Sequence, residues 1–203
     1  MRGLAGAVGL ILGGSAVAAE EFAFLKPEAV RAAYAADRDG WDVVPPLVVR
    51  AFVLAEDKGF WDRAPGRSTV TRTIGNWYPE PGAGPGLAVA VAIGQALEGA
   101  EIADWFVNRV YLGQRCFGVA GAAGAYFGKD VAALAVQEVA YLAILPKGPA
   151  VFHPERAGGK AVERRNWLLG QMAEAGLIAP DEARAAMDLP LGVRAPLGSC
   201  EVE

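Results

Sequence analysis

The sequence predicts an all-α domain, and three observations lead there. Helix start and stop signals recur along the chain, apolar residues fall at i, i+3 and i+4 spacing, and the apolar–polar alternation of a half-buried strand is almost absent. With 203 residues, 53% of them apolar and 21% charged, the chain has material for one core and too little charge for a disordered segment.

The elements follow in order. Arg2 precedes a run without charge from Gly3 to Ala19, which ends in small residues before Glu20-Glu21. Residues 1–19 therefore read as a signal peptide, with an A-x-A site at Ala16-Val17-Ala18, or as a short membrane anchor. Residues 20–42 read as a connecting segment in which Pro27-Glu28 opens a short helix that Asp39-Gly40 ends. Pro45-Pro46 opens a second helix, with Leu47, Val48, Ala51, Phe52 and Ala55 on one stripe. Ser68 is a good N-cap for a third, reaching about Trp77. Residues 79–86, rich in proline and glycine, read as a loop. Residues 87–98 are apolar nearly all round and predict a central buried helix. The next helix puts Ile102, Trp105, Phe106 and Val110 on one face and stops at Gly113. Residues 118–127 consist mostly of Ala and Gly, which lets neighbouring helices approach closely. A helix over 135–145 ends at Pro146. The one over 161–175 turns Trp167, Leu168, Leu169 and Met172 inward, with Gly176 as its C′ residue. Pro180 opens a last short helix, and residues 191–203 form a C-terminal tail.

Several function classes are excluded. A net charge of −4 and the lack of a long basic run speak against nucleic acid. Cys116 and Cys200 form no CxxC pair and His153 has no nearby cysteine, so no zinc site is expected. His153 reads as a loop residue. Export leaves two options for the cysteines, a disulfide or two free thiols. Trp61, Trp77 and Trp105 read as core by default, with a lipid surface as the alternative.

The polar chemistry concentrates in residues 55–76, AEDKGFWDRAPGRSTVTRTIGN. Glu56 continues the Val48–Phe52 line, so it leaves from the apolar face, near a helix C-terminus where the dipole disfavours negative charge. Both effects suit a carboxyl group for proton transfer near neutral pH. The plain alternative is a solvated glutamate or one paired with Lys58. In GRSTVTRT, a Gly before a Ser-capped helix offers backbone N–H groups to a phosphate. Thr69 and Thr71 add hydroxyls, and Arg67 and Arg72 add bidentate donors. The plain alternative is an ordinary cap with solvated arginines.

EDKGF, GRSTVTRT, EIADWFVNRVYLG, GVAGAAGAYFGKD, EVAYLAILPKGPAVFHP and ERRNWLLGQMAEAGLI occur in this order. Together they resemble the family 51 glycosyltransferases, the peptidoglycan transglycosylase domain of class A penicillin-binding proteins and the monofunctional transglycosylases. The resemblance covers residues 43–189. It implies a lysozyme-like helical fold over residues 43–190 at the outer face of the bacterial inner membrane, or free in the periplasm if the signal is cleaved. It further implies inverting transfer on lipid II, a disaccharide-pentapeptide carried on a polyprenyl pyrophosphate. No resident cofactor is implied, although divalent metal assistance is known in the family; other cell-wall synthesis proteins are implied as partners. By resemblance Glu56 is the general base. Asp57 and Phe60 are its motif neighbours, Ser68, Thr69 and Thr71 border the donor pyrophosphate with Arg72 beside them, and Asn108 matches the asparagine of the Y-L-N motif. Glu101, Tyr126, Phe127, Arg164 and Arg165 are expected to be mainly structural.

The chain departs from that pattern in three places. Only WDRAPGR remains of a longer acceptor-side segment between Phe60 and Ser68. Arg72-Thr73 and Gly75-Asn76 stand where the family has Gln-Gln and Lys-Asn. Gly86, Leu87 and Ala90 stand where it has the two basic residues and second glutamate of R-K-x-x-E. Three readings follow: a reduced transglycosylase, a lipid II-binding or scaffold module without the chemistry, and a lysozyme-like glycan hydrolase using Glu56 as acid, with Asp62 the nearest second carboxylate.

Overall fold

A computed structural model describes residues 25–78 and 86–200. Residues 1–24, 79–85 and 201–203 lie outside the described residues, and with them the expected signal or anchor segment over 1–19 and most of the expected loop over 79–86. The helices are α1 (Pro27–Arg38), α2 (Pro46–Glu56), α3 (Thr69–Trp77), α4 (Leu87–Ala96), α5 (Gly99–Arg109), α6 (Val119–Phe127), α7 (Val136–Ile144), α8 (Gly158–Glu174) and α9 (Pro180–Met187). Short 3-10 turns at Phe60–Asp62 and Pro65–Arg67 link α2 to α3, and another at Leu145–Lys147 follows α7. Among the described residues there is no strand, only an isolated antiparallel bridge between Tyr111 and Phe117.

Local chemistry sets the helix ends. Proline occupies the first turn of α1, α2 and α9, where its missing N–H costs nothing. Glu101 reaches back to the Glu98 N–H at 2.8 Å and closes a capping box on α5. Gly176, at φ 68, ends α8 in a Schellman motif: its N–H bonds Ala173 O at 3.0 Å, and Leu177 N–H bonds Met172 O at 2.9 Å.

One core runs through the domain. Val48, Ala51 and Phe52 of α2 meet Tyr141, Leu142 and Ile144 of α7, Ile102, Trp105 and Phe106 of α5, and Leu168, Leu169 and Met172 of α8. The segment expected to be a connection contributes α1, which buries Val30 and Tyr34 and lies on α4. The turn Pro65–Arg67 is pinned to α4, because a Cβ on Gly94 would strike the Gly66 backbone. That contact fixes where α3 begins.

Two expectations are corrected. The α4 helix is not buried on all sides: Val89, Ala92, Ile93 and Ala96 face the core, but Leu87 is 55% and Val91 45% exposed. Trp167 does not turn inward; it is 39% exposed because Leu168, Leu169, Met172 and the fully buried Arg165 take the inner face of α8. Consecutive helical residues sit about 100° apart, so Trp167, Leu168 and Leu169 cannot share one stripe.

The tail folds back along the body. Arg194 and Gly198 donate their N–H groups to Tyr126 O and Ala125 O of α6, both at 2.8 Å, and Cys200 N–H reaches Gln114 O at 3.0 Å. Of the two options for the cysteines the structure takes the disulfide, Cys116–Cys200, closing a sequence separation of 84.

Candidate active site

The site grows from the junction of α2 and α3. Asp57, the residue after α2, is buried, and its carboxylate accepts from Gly59 N–H at 3.1 Å and Thr69 N–H at 3.0 Å. Arg63 adds an ion pair at 3.3 Å. The Thr69 hydroxyl donates to Glu56 O at 3.1 Å, so two bonds tie the first residue of α3 to the end of α2.

Ser68 and Thr71 complete the junction. Ser68 Oγ accepts from Thr71 N–H at 2.9 Å, the capping bond that the sequence predicts. The two hydroxyls lie 2.7 Å apart, and the Thr71 hydroxyl also donates to Pro65 O. A hydroxyl has one hydrogen, so Thr71 spends its own on Pro65 and Ser68 must donate to Thr71. Both side chains are buried.

Of the two readings of GRSTVTRT, this geometry favours the ordinary cap over the phosphate cradle. The N–H of Thr69 is taken by Asp57 and that of Thr71 by Ser68, and a carboxylate already sits at the positive end of the helix. Arg67 and Arg72 are exposed, and neither has an ion pair among the described residues.

The cation that reaches Glu56 is one that the sequence reading missed. Lys147, in the turn after α7, places Nζ 2.9 Å from Glu56 Oε2. Glu56 is largely shielded and Lys147 half exposed, so the pair opens to solvent on the lysine side. The signal for it is Leu145-Pro146-Lys147 directly after α7, within EVAYLAILPKGPAVFHP. Lys58 instead lies over the Trp167 ring at 5.4 Å, with the Arg164 guanidinium 3.8 Å from the same ring.

The remaining residues are placed as follows. Phe60 is buried, edge-on to Trp61 at 4.8 Å, while Trp61 is half exposed. Asn108 is not at the Glu56 junction. Its amide nitrogen donates to Asp104 O at 3.0 Å and Asp104 Oδ1 at 3.2 Å, and it lines a separate cavity beside Trp77. Burial raises the Asp104 carboxyl above its ordinary pKa, with Arg38 opposing. His153 is buried in a turn, accepting Glu155 N–H at Nδ1 and facing Gln114 at 3.3 Å. No cluster of three or more His, Cys, Asp or Glu side chains able to hold a metal occurs among the described residues.

A helical, lysozyme-like domain with a glutamate at the end of one helix and a Ser/Thr-capped helix clamped to it is the class that fold and site define. Comparison with known proteins adds a likeness. Residues 86–173 match the family model described as Transglycosylase. The chain is 31% identical over 186 residues to Penicillin-binding protein 1A of Aquifex aeolicus and 32% over 168 residues to that of Escherichia coli. These alignments take in 75% and 70% of the chain but 25% and 20% of the relatives, so the chain spans a quarter or less of their length. The crystal structure of Penicillin-binding protein 1A from Haemophilus influenzae superposes with a TM-score of 0.52 at 27% identity, covering 74% of this chain and 17% of that one. The chain is thus similar to transglycosylases, by the family model over residues 86–173 and by these relatives over about three quarters of its length.

Proposed function

We propose that this domain transfers glycan from a polyprenyl-pyrophosphate-linked donor, lipid II or a close relative, in cell-wall synthesis, with Glu56 as general base. The observation that carries the reading is the Glu56–Lys147 pair. An ionised carboxylate is an acceptor only, so Glu56 can take the proton of an acceptor sugar hydroxyl. The hydroxyl oxygen bonds the donor's anomeric carbon from one side. The bond from that carbon to the pyrophosphate oxygen breaks on the other, with inversion, and the leaving diphosphate keeps the electron pair. Once Glu56 is protonated, Lys147 loses its partner and its charge becomes available to that diphosphate. In this scheme Thr69 and Arg72 form the reachable edge of the donor side, and Ser68, Thr71 and Asp57 hold α3 in place. Phe60 fills the space under the turn, and Asn108 serves a neighbouring cavity.

The natural setting of this reaction is the periplasmic face of the bacterial inner membrane, beside other cell-wall synthesis proteins. Among the described residues no helix is long and apolar enough to cross a membrane. A second reading is a module that binds lipid II without processing it. Its support is that Gly86, Leu87 and Ala90 replace the family's basic pair and second glutamate.

Lipid II polymerisation in detergent by the parent, Glu56→Gln and Lys147→Ala tests both. Product from the parent, a loss of at least about a hundredfold in Glu56→Gln and a smaller loss in Lys147→Ala support the enzyme. Lipid II binding without product supports the module. Release of sugars from preformed glycan would instead favour the hydrolase.

A further inference from the structure

A second cavity, of about 890 Å³, opens where the C-terminal ends of α1, α3 and α5 meet. Its walls are aromatic: Trp41, Trp77, Tyr78, Tyr111 and Phe117. Tyr111 and Phe117 stand 44% and 63% exposed with ring centroids 5.1 Å apart, and Trp77 rests one ring face on Phe106. The loop carrying Tyr111 and Phe117 is held in shape. The Tyr111–Phe117 bridge closes it, Gln114 and Arg115 adopt left-handed φ of 51° and 61°, and a Cβ on Gly118 would strike the Asn108 carbonyl.

The polar groups of the cavity have a definite balance. Asp37 pairs with Arg109 at 3.3 Å, and its other oxygen accepts from Trp105 Nε1 at 3.0 Å and faces the Tyr78 hydroxyl at 3.5 Å. The two charges therefore compensate each other. Arg109 keeps further N–H donors, and the Asn108 side-chain carbonyl accepts no hydrogen bond among the described residues. An aromatic wall with a few convergent polar groups and no net charge is the chemistry of a small-molecule or sugar site.

We infer that this cavity is a glycan-strand subsite that binds a neutral, β-linked N-acetylated sugar chain. This rests on the reading of the domain as a glycan-transferring one. The aromatic faces would meet the C–H faces of sugar rings, and Asn108 and Arg109 would bond hydroxyl or acetamido groups. A bare prenyl chain fits less well, because covering the Arg109 donors and the Asn108 carbonyl with hydrocarbon leaves them unpaired. Helix α3 links this subsite to the Glu56 junction: Thr69 and Trp77 are eight residues apart, about 12 Å along the axis.

Isothermal titration of the full chain with tetra-N-acetylchitotetraose tests this, because that probe has no pyrophosphate and cannot be a donor. Saturable binding is expected, weakened about tenfold or more by Trp41→Ala and by Asn108→Ala, and largely restored by Trp41→Phe. Trp61→Ala, outside the cavity, leaves it unchanged. No saturable binding, binding indifferent to both cavity variants, or binding of geranylgeraniol in place of the sugar overturns the inference. Polymerisation of lipid II without chitotetraose binding removes the subsite and leaves the proposed function intact. Chitotetraose binding without polymerisation does the reverse.

Discussion

Two supports hold the site, and they are made of different interactions. The α2–α3 junction depends on polar contacts: one buried carboxylate with two N–H donors and a guanidinium, plus a chain of two hydroxyls ending on Pro65 O. The seam along α6 depends on backbone bonds from the tail, the Tyr126 hydroxyl on Leu112 O at 2.8 Å and the Cys116–Cys200 bond. The first positions Glu56, and the second positions the loop bearing Tyr111 and Phe117. The junction is therefore most sensitive to loss of the Asp57 carboxylate, whereas the seam weakens under reducing or alkaline conditions. Positioning of the base and shaping of the aromatic cavity should then be separable by mutation.

The largest expected effect is at the seam. The disulfide closes a separation of 84 residues, and cross-links of this span contribute about 3–5 kcal/mol, chiefly through the unfolded chain. Cys116→Ser with Cys200→Ser should lower the denaturant midpoint accordingly and weaken chitotetraose binding more than any Glu56-dependent turnover per folded molecule. A loss under about 1 kcal/mol would show that the tail's backbone bonds suffice alone.

At the junction, Asp57→Ala leaves two N–H groups and a guanidinium without their acceptor. A cost of about 2–4 kcal/mol is expected, with turnover falling as α3 loosens from Glu56. Arg63→Ala removes only the half-exposed partner and should cost under about 1 kcal/mol in the same denaturation series. Equal costs for the two variants would contradict the view that Asp57 acts mainly on backbone donors.

These contrasts bear on what could be read from the sequence. Helix starts were legible wherever a local group sets them, as at Pro27, Pro46, Ser68 and Pro180, and so was Gly176 as a helix stop. Such signals act within one turn. The role of Asp57 as a second cap on α3 was not legible, because its target lies 12 residues on, across two 3-10 turns. Lys147 was missed for a stronger version of the same reason: it reaches Glu56 only because α7 lies against α2. Leu87, Val91 and Trp167 misled because an apolar side chain at helical spacing does not reveal which arc of the helix meets the core. The aromatic cavity draws on α1, α3, α5 and the 111–117 loop, so no single stretch announces it.

A smaller effect is expected at the cap itself. Ser68→Ala removes the acceptor for Thr71 N–H and the donor to the Thr71 hydroxyl, and should cost about 1–2 kcal/mol in thermal or denaturant unfolding. Because Asp57 still caps Thr69, the variant should keep α3 and most of its turnover.

A further small effect is at the seam, and its pH dependence shows in alkali. Burial, with the nearby Tyr111 hydroxyl adding to it, pushes the Tyr126 phenol from 10.0 up to about 12, and burial raises Tyr141 further in the same direction. A group whose folded pKa lies above its unfolded one adds stability below the unfolded value and loses it as pH rises through the folded value. For Tyr126 that window runs from about pH 10 to about pH 12. Tyr126→Phe should therefore cost about 1 kcal/mol at neutral pH, from the lost bond to Leu112 O. The same variant should flatten the decline in stability across that window, leaving the part owed to Tyr141. A parallel alkaline decline in parent and variant would mean that the Tyr126 hydroxyl does not anchor the loop, and the seam would then rest on the disulfide and the tail's backbone bonds alone.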